Sequence, residues 1–247
     1  MDVILLAGGY GTRLYPLTKD RPKSLLPVGG RPITDYLVEE LQQEPRIERM
    51  WLVTNDKFAE HFRRWAEKSD FDLPMETIND GTTSNEDRLG AIGDINLVLD
   101  HMGGMPEDGV YVAATDNIPR FDMADIIHVS VERGASAVFA CREESRDRLK
   151  RAGVATLDAQ GRIVDFEEKP DEPATDFRVP PFYCLTRDAA SLIPTYLEEG
   201  NDPDAPGNLL AWLIERREVY ARVAAQGTYD IGTRESYRRV CEAFESN

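Results

Sequence analysis

Apolar runs alternate with amphipathic stretches along the first half of the chain. Val3-Ile4-Leu5-Leu6-Ala7 is a continuous apolar run ending in Gly8-Gly9, the pattern of a parallel strand buried on both faces. After a loop rich in Gly and Pro, Thr34 or Asp35 supplies the cap of a helix through Tyr36-Leu37-Val38 to Leu41. Met50-Trp51-Leu52-Val53-Thr54 is the next strand. Phe58, Phe62 and Trp65 recur at helical spacing, which predicts an amphipathic helix over 57–68 with the aromatics on its core face. Residues 75–78 follow as a strand, 89–102 as a helix and 110–114 as a strand that ends at Thr115-Asp116-Asn117. A helix over 123–133 and a strand over 135–140 complete a β-α-β-α series, which implies a mostly parallel sheet flanked by helices.

The pattern then changes. Residues 154–157 and 163–166 are short apolar runs separated by Asp158-Ala159-Gln160-Gly161, a hairpin signature. Pro180-Pro181 breaks the chain before another strand at 182–185. Helices are predicted over 187–199 and 208–215, the second entered through Pro206-Gly207, then a strand over 219–223 and a closing helix over 234–244. The fold class is therefore α/β: a Rossmann-like, mostly parallel sheet flanked by helices, with a small β-rich second lobe on the same sheet.

Composition narrows the function. A chain of 247 residues suits one α/β domain, and 41% hydrophobic with 30% charged residues is a globular composition. No apolar run approaches the ~18 residues of a membrane helix. Met1-Asp2 leads directly into the first apolar run without a basic segment, so no secretory leader is expected and a cytoplasmic protein is. The net charge is −16, from 29 Lys+Arg against 45 Asp+Glu. Such a surface repels nucleic acid and anionic membranes. It fits adaptation to high salt and equally an ordinary acidic surface. An anionic substrate needs the few basic groups gathered in one place, and the chain has six lysines: Lys19, Lys23, Lys57, Lys68, Lys150 and Lys169. Cys141, Cys184 and Cys241 are scattered and read as reduced thiols, and with His61, His101 and His128 they make no zinc-ligand spacing.

The candidate chemistry begins at Gly8-Gly9-Tyr10-Gly11-Thr12-Arg13. A glycine-rich turn leaving a first strand lets main-chain N–H groups converge on an anion. It is not a dinucleotide G-x-G-x-x-G, because position 14 is Leu14, and it lacks the Gly-Lys-Ser/Thr of a P-loop. Ten residues after Arg13 comes Lys23, in a segment stiffened by Pro16, Pro22 and Pro27. Lys23 alone would read as a solvated surface lysine. Beside Arg13 and the glycines it reads as a phosphate ligand.

Residues 8–18 followed by Pro22-Lys23-Ser24-Leu25-Leu26-Pro27-Val28 resemble the signature of the sugar-1-phosphate nucleotidylyltransferases, or NDP-sugar pyrophosphorylases. Thr115-Asp116-Asn117 resembles the family's metal-binding Gly-Asp-Asn. Gly153-Val154 and Glu168-Lys169-Pro170 resemble its sugar and sugar-phosphate contacts, and Tyr229-Asp230-Ile231-Gly232-Thr233 its late Asp-Ile-Gly-Thr segment. Taken alone, residues 167–170 would be a charged hairpin end, Asp116 a turn residue and Asp230 a helix cap. Their order along the chain lifts them together.

The resemblance implies that an NTP and a sugar 1-phosphate are the partners and that an NDP-sugar and pyrophosphate are formed with Mg²⁺ as cofactor. Ala7, Gly8, Gly9, Gly11, Thr12, Asn85 and Gly90 would bind the nucleotide, with Arg13 and Lys23 catalytic. Gly153, Glu168 and Lys169 would bind the sugar phosphate, and Asp116 and Asp230 the metal. Residues 1–140 would form the nucleotide-binding half of one domain spanning 1–247, and 141–247 the sugar-phosphate lobe and closing helix. A homo-oligomer is compatible with the chain.

The family's thymidylyl members read the base with a Gln. The region 80–91 has none, and Asn85 or Thr83 is left as the polar group able to stand in, so the base stays open. The chain resembles the compact members, without hexapeptide repeats. Two other classes compete. A non-catalytic nucleotide-sugar sensor would be expected to lose Arg13, Lys23 or a metal aspartate. A metal-dependent glycosyltransferase would want Asp-x-Asp at a strand end, but the matches at 70–72 and 202–204 fall in predicted loops.

Overall fold

The computed structural model describes residues 1–245. In chain order the strands are β1 (Asp2–Leu6), β2 (Pro27–Val28), β3 (Arg31–Pro32), β4 (Arg49–Thr54), β5 (Met75–Asn79), β6 (Val110–Ala114), β7 (Asn117–Pro119), β8 (Ser136–Arg142), β9 (Gly153–Leu157), β10 (Ile163–Glu168), β11 (Phe177–Val179), β12 (Phe182–Leu185), β13 (Val219–Ala224) and β14 (Thr228–Asp230). The helices are α1 (Ile33–Leu41), α2 (Asp56–Lys68), α3 (Ala91–His101), α4 (Asp125–Arg133), α5 (Arg146–Leu149), α6 (Arg187–Ala190), α7 (Ile193–Glu198), α8 (Pro206–Leu213) and α9 (Arg234–Glu245).

Ten strands form one sheet in the order β10-β9-β11-β8-β12-β6-β1-β4-β5, with β13 beside β8. Strands β5, β4, β1 and β6 are mutually parallel; β12 runs antiparallel between β6 and β8, and β13 is parallel to β8. The lobe is a continuation of this sheet: β11, β9 and β10 are added antiparallel at its far edge. Alternation along β1 explains the layers. Ile4 faces a core with α3, α7 and α8, whereas Val3 and Leu5 face one with α1, α2 and α4. A third small core joins Leu14, Ile118, Ile231 and Val240, and ties α9 to the loops around the sheet's edge.

Most predicted elements lie where the periodicity put them. The helix expected over 187–199 is two helices, α6 and α7. Pro194 has no N–H for the carbonyl a turn earlier, so the first helix ends and a second restarts around it. The helix after the first loop is capped at Pro32 instead of at Thr34 or Asp35, and the Thr34 hydroxyl donates to the Ser24 carbonyl at 2.9 Å. Strands β7, β11 and β14, of three residues each, were not predicted.

Candidate active site

Strand β1 lies between β4 and β6, so the loop after Leu6 leaves the sheet at the C-terminal edge of its parallel strands, where open α/β sheets bind ligands. Its entry is pinned. Ala7 N–H donates to Val53 O at 2.9 Å, and the Thr54 hydroxyl donates to Ala7 O at 3.0 Å. Asn55, the cap of α2, donates its amide to Gly8 O at 2.9 Å while accepting from Phe58 N. Both main-chain groups of Ala7 are thus engaged within the protein. Gly11 has φ +63°, which favours glycine, and its carbonyl accepts from the Thr18 hydroxyl at 2.7 Å. Among the described residues, no hydrogen bond is donated by the main-chain N–H of residues 8–13. Six successive donors, including those of Gly8, Gly9, Gly11, Thr12 and Arg13, stay available to an anion.

Beside them lies a charge cluster. Lys23 opens a 3₁₀ turn after Pro22 and donates from Nζ to Asp116 Oδ2 at 2.5 Å. Asp116 Oδ1 accepts from the Asn117 amide at 2.7 Å. Burial pushes the Asp116 carboxyl upward, but the Lys23 charge and these hydrogen bonds outweigh it and hold it below the usual range. Strand β14 pairs antiparallel with β7, which sets Asp230 opposite Asn117, and Ile231 N donates to Asp116 O at 3.2 Å. Two aspartates 114 residues apart in sequence therefore meet at the sheet's edge. The Asp230 side chain is exposed at the end of β14, yet the protein packed around it and then the Asp116 charge raise its carboxyl, against the pull of Lys23, Arg178 and Arg13. Neither the Arg13 nor the Arg178 side chain has an ion pair among the described residues. In a chain of net charge −16, two arginines without ion pairs and a lysine all act on Asp230, a local gathering of positive charge.

Asp116 and Asp230 are hard oxygen donors near enough for the charge of one to act on the other, with no His or Cys among them. No group of three or more His, Cys, Asp or Glu able to hold a metal occurs among the described residues. That set fits Mg²⁺, which keeps waters and takes substrate phosphate oxygens besides one or two carboxylates.

The third group is at the end of β10. Glu168 lies opposite Gly153 on β9, and Lys169 Nζ is 3.6 Å from Glu168 Oε1. Burial raises the Glu168 carboxyl and Lys169 draws it back. Lys169 has φ +53°, and its N–H donates to Ala152 O at 3.1 Å. Two glycines make room for the carboxylate. A Cβ on Gly207, in the first turn of α8, would stand 2.0 Å from Glu168 Oε2, and one on Gly153 would meet the Phe166 ring at 2.4 Å and Glu168 Oε2 at 3.1 Å. Asn85 lies exposed in the loop after β5. Its carbonyl accepts from Arg88, whose Nε donates to Asp204 Oδ1 at 2.8 Å. Gly90, with φ +80°, packs on the Pro203 carbonyl. These contacts tie the loop to the segment entering α8 and bound a cavity of about 320 Å³ lined by Asn85, Glu86, Arg88, Gly90, Pro203 and Asp204.

Arg178 and Gly207 were not anticipated. Arg178 carries no motif, and only its register opposite Cys141 turns it toward the Asp230 segment, where Gly227 packs on the Cys141 thiol. The Pro206-Gly207 pair was legible only as a helix entry.

A mixed α/β sheet whose C-terminal edge carries a glycine-rich loop with free N–H donors, basic side chains and two neighbouring aspartates defines the class of α/β fold. Within that class the chain belongs to the nucleotidyl transferase family, whose sequence profile matches residues 2–247. It is 29% identical over 187 residues to a low-salt glycan biosynthesis nucleotidyltransferase of Haloferax volcanii, covering 75% of this chain and 49% of that protein. It is 28% identical over 265 residues to a glucose-1-phosphate adenylyltransferase of Shewanella frigidimarina, covering 95% and 61%. The chain thus spans about half to three fifths of the length of these relatives. The fold superposes on a UDP-glucose pyrophosphorylase solved with UDP-glucose at TM-score 0.78 and 20% identity, covering 99% of this chain and 98% of that one. No helix of the described residues is long and apolar enough to cross a membrane.

Proposed function

We propose that this protein joins an NTP and a sugar 1-phosphate to give an NDP-sugar and pyrophosphate. A phosphate oxygen of the sugar 1-phosphate attacks the α-phosphorus, and the bond from that phosphorus to the bridging β-oxygen breaks. The attacking oxygen is already ionised, so no general base and no covalent nucleophile are required. Holding anions in line and neutralising their charge is the main task.

The observation that carries this reading is the convergence of the free N–H groups of residues 8–13 with Lys23, Asp116 and Asp230. In this reading the N–H groups receive the triphosphate and Arg13 forks onto the departing β- and γ-phosphates. Lys23, partnered by Asp116, is positioned to turn to the α-phosphate. Lys169 holds the incoming phosphate, Glu168 accepts from sugar hydroxyls, and Arg178 adds a third cation near Asp230. When bound to Asp116 and Asp230, Mg²⁺ would offset phosphate charge and orient the phosphate oxygens. Residues 1–140 serve the nucleotide and 141–247 the sugar phosphate, with Asp230 returned from the second part to the first. We place the reaction in the cytoplasm, where nucleoside triphosphates are held.

A nucleotide-sugar sensor needs no Lys23–Asp116 pair, and both members are present. Against a glycosyltransferase, Asp202 accepts from the Asp204 N–H in a turn and Asp204 is paired with Arg88. The test is pyrophosphate release with dTTP, UTP, CTP, GTP and ATP, each against a set of sugar 1-phosphates. Release that requires both substrates supports the proposal. Sugar transfer from a nucleotide sugar, or nucleotide binding without turnover in every pairing, would replace it.

A further inference from the structure

Among the described residues three buried acids take no part in the mechanism, and two of them are paired, Glu44 with Arg46 and Glu143 with Arg148; Asp94 is the one without a cation. Asp94 lies in the first turn of α3 and is 5% exposed, and its N–H donates to Gly90 O. Its carboxyl group is turned toward the nucleotide loop. A Cβ on Gly8 would stand 2.4 Å from Asp94 Oδ2 and 3.6 Å from Asp80 Oδ2, so two carboxyl groups converge beneath the same glycine. Asp80 is anchored in its own turn, where Oδ1 accepts from Thr82 N at 2.7 Å. Thr82 in turn shares a hydrogen bond with the Tyr10 hydroxyl at 3.2 Å, inside the loop. Asp94 Oδ1 is buried without a hydrogen-bond partner.

Helix α3 packs on β1, β4, α7 and α8, and of the charged groups around it only Asp80, on the loop leaving β5, acts on Asp94; Asp87 of that loop acts on Asp80. No cation offsets the two acids among the described residues. Asp94 is buried and Asp80 half-buried beside it, so a second negative charge there is disfavoured both by burial and by repulsion, which favours one proton on the pair. The unpartnered Oδ1 agrees: a neutral carbonyl-type oxygen tolerates burial without a donor far better than an ionised one does. Burial, followed by the neighbouring Asp80, pushes the Asp94 carboxyl up to about 8.

We propose that Asp94 is a positioning residue for the nucleotide: as a protonated acid bonded to Asp80 it supports Gly8 so that the N–H groups of residues 8–13 face the triphosphate. Losing that proton places a second negative charge under the turn that receives a polyanion. The support then becomes a repulsion, both toward Asp80 and toward the ligand. Glycine at position 8 is required on this account, because any side chain would strike the Asp94 carboxyl.

The inference rests on the nucleotide-loop reading above, and the experiment separates the two. Binding of the nucleotide selected by the pyrophosphate assay is measured by calorimetry with saturating Mg²⁺ from pH 6 to 9.5, for wild type and Asp94→Asn. The Asn amide keeps the shape and can donate to Asp80, but cannot ionise. Wild type should weaken about tenfold between pH 7 and pH 9, as one proton titrates near pH 8. Asp94→Asn should bind within about threefold of wild type at pH 7 and show no such loss, because the nucleotide's own ionisation is common to both proteins. KM for the sugar 1-phosphate should not follow this profile. An alkaline loss that persists unchanged in Asp94→Asn, or a flat wild-type profile, overturns the inference while leaving the nucleotide site standing. No nucleotide binding by wild type at any pH overturns both. Should Asp94→Asn fail to fold, Asp80→Asn takes its place: without the Asp80 charge the alkaline loss should move to lower pH than in wild type, and an unmoved profile overturns the inference.

Discussion

Replacing Gly207 with alanine separates stability from activity in one substitution. The new Cβ would lie 2.0 Å from Glu168 Oε2, more than 1 Å inside an ordinary carbon–oxygen contact. The Glu168 carboxylate is the end of a flexible side chain and can turn away, while Phe166 Cε1, 3.2 Å from the new Cβ, has to give by only a few tenths of an ångström. In the helix itself alanine is favoured over glycine by about 1 kcal/mol. The melting temperature should therefore hold or rise, while the carboxylate leaves its place between Gly153 and Gly207. If Glu168 accepts a sugar hydroxyl, the loss is one hydrogen bond to a charged group, about 1.5–3 kcal/mol, or roughly 10- to 150-fold in kcat/KM for the sugar 1-phosphate. The assay is steady-state pyrophosphate release with each substrate varied against saturating levels of the other, beside a thermal melt. KM for the NTP should stay within about twofold. A folded Gly207→Ala enzyme with unchanged kcat/KM for the sugar phosphate would refute the assignment of Glu168 and of the glycines around it.

Lys23→Ala should lower kcat by roughly 10²-fold or more, the scale for removing one electrostatic stabiliser, with a smaller effect on NTP affinity. Lys57→Ala, on the exposed face of α2, is the matched control, and equal activities of the two variants would remove Lys23 from the mechanism. Asp116→Asn and Asp230→Asn should each abolish most turnover while keeping wild-type circular dichroism, and EDTA should do the same to the wild type; full activity in EDTA would exclude the metal. Asp94 bears on stability with a definite sign. Its folded value is raised from 3.8 to about 8, so its contribution is most favourable at low pH and declines as pH rises across that interval. Asp94→Asn should thus gain stability over wild type as pH rises from about 5 to 8, and a difference in melting temperature that does not change with pH would contradict a raised Asp94.

The sheet was legible because its central strands are apolar on both faces and its helices repeat their apolar positions at helical spacing. Val3–Ala7 and the Phe58-Phe62-Trp65 stripe need no partner to be recognised. What escaped is short or non-local. Strands β7 and β14 are three residues each and contain Asn117 and Asp230, residues that carry no strand signal, and only their mutual pairing defines them. The meeting of Asp116 with Asp230 was thus accessible through resemblance and not through periodicity. The Lys23–Asp116 bond spans 93 positions, and the crowding of Gly207 on Glu168 joins two elements distant in sequence. Asp94 was invisible as a site for another reason. Within a helical pattern a single acid reads as a solvated position, and its burial depends on the absence of a side chain at Gly8. The Pro194 break was readable in principle, but the apolar spacing on either side of it suggested one continuous helix.

The central claim is nucleotidyl transfer at the α-phosphorus, and the fate of two labels tests it most directly. The selected NTP, labelled with ³²P at the α- or at the γ-position, is incubated with its sugar 1-phosphate and the products are separated. The account predicts α-label in the nucleotide sugar and γ-label in pyrophosphate, in equal amounts and only when both substrates are present. γ-Label in inorganic phosphate, or on the sugar, would mean that the terminal phosphoryl group is the one transferred, and would contradict the account.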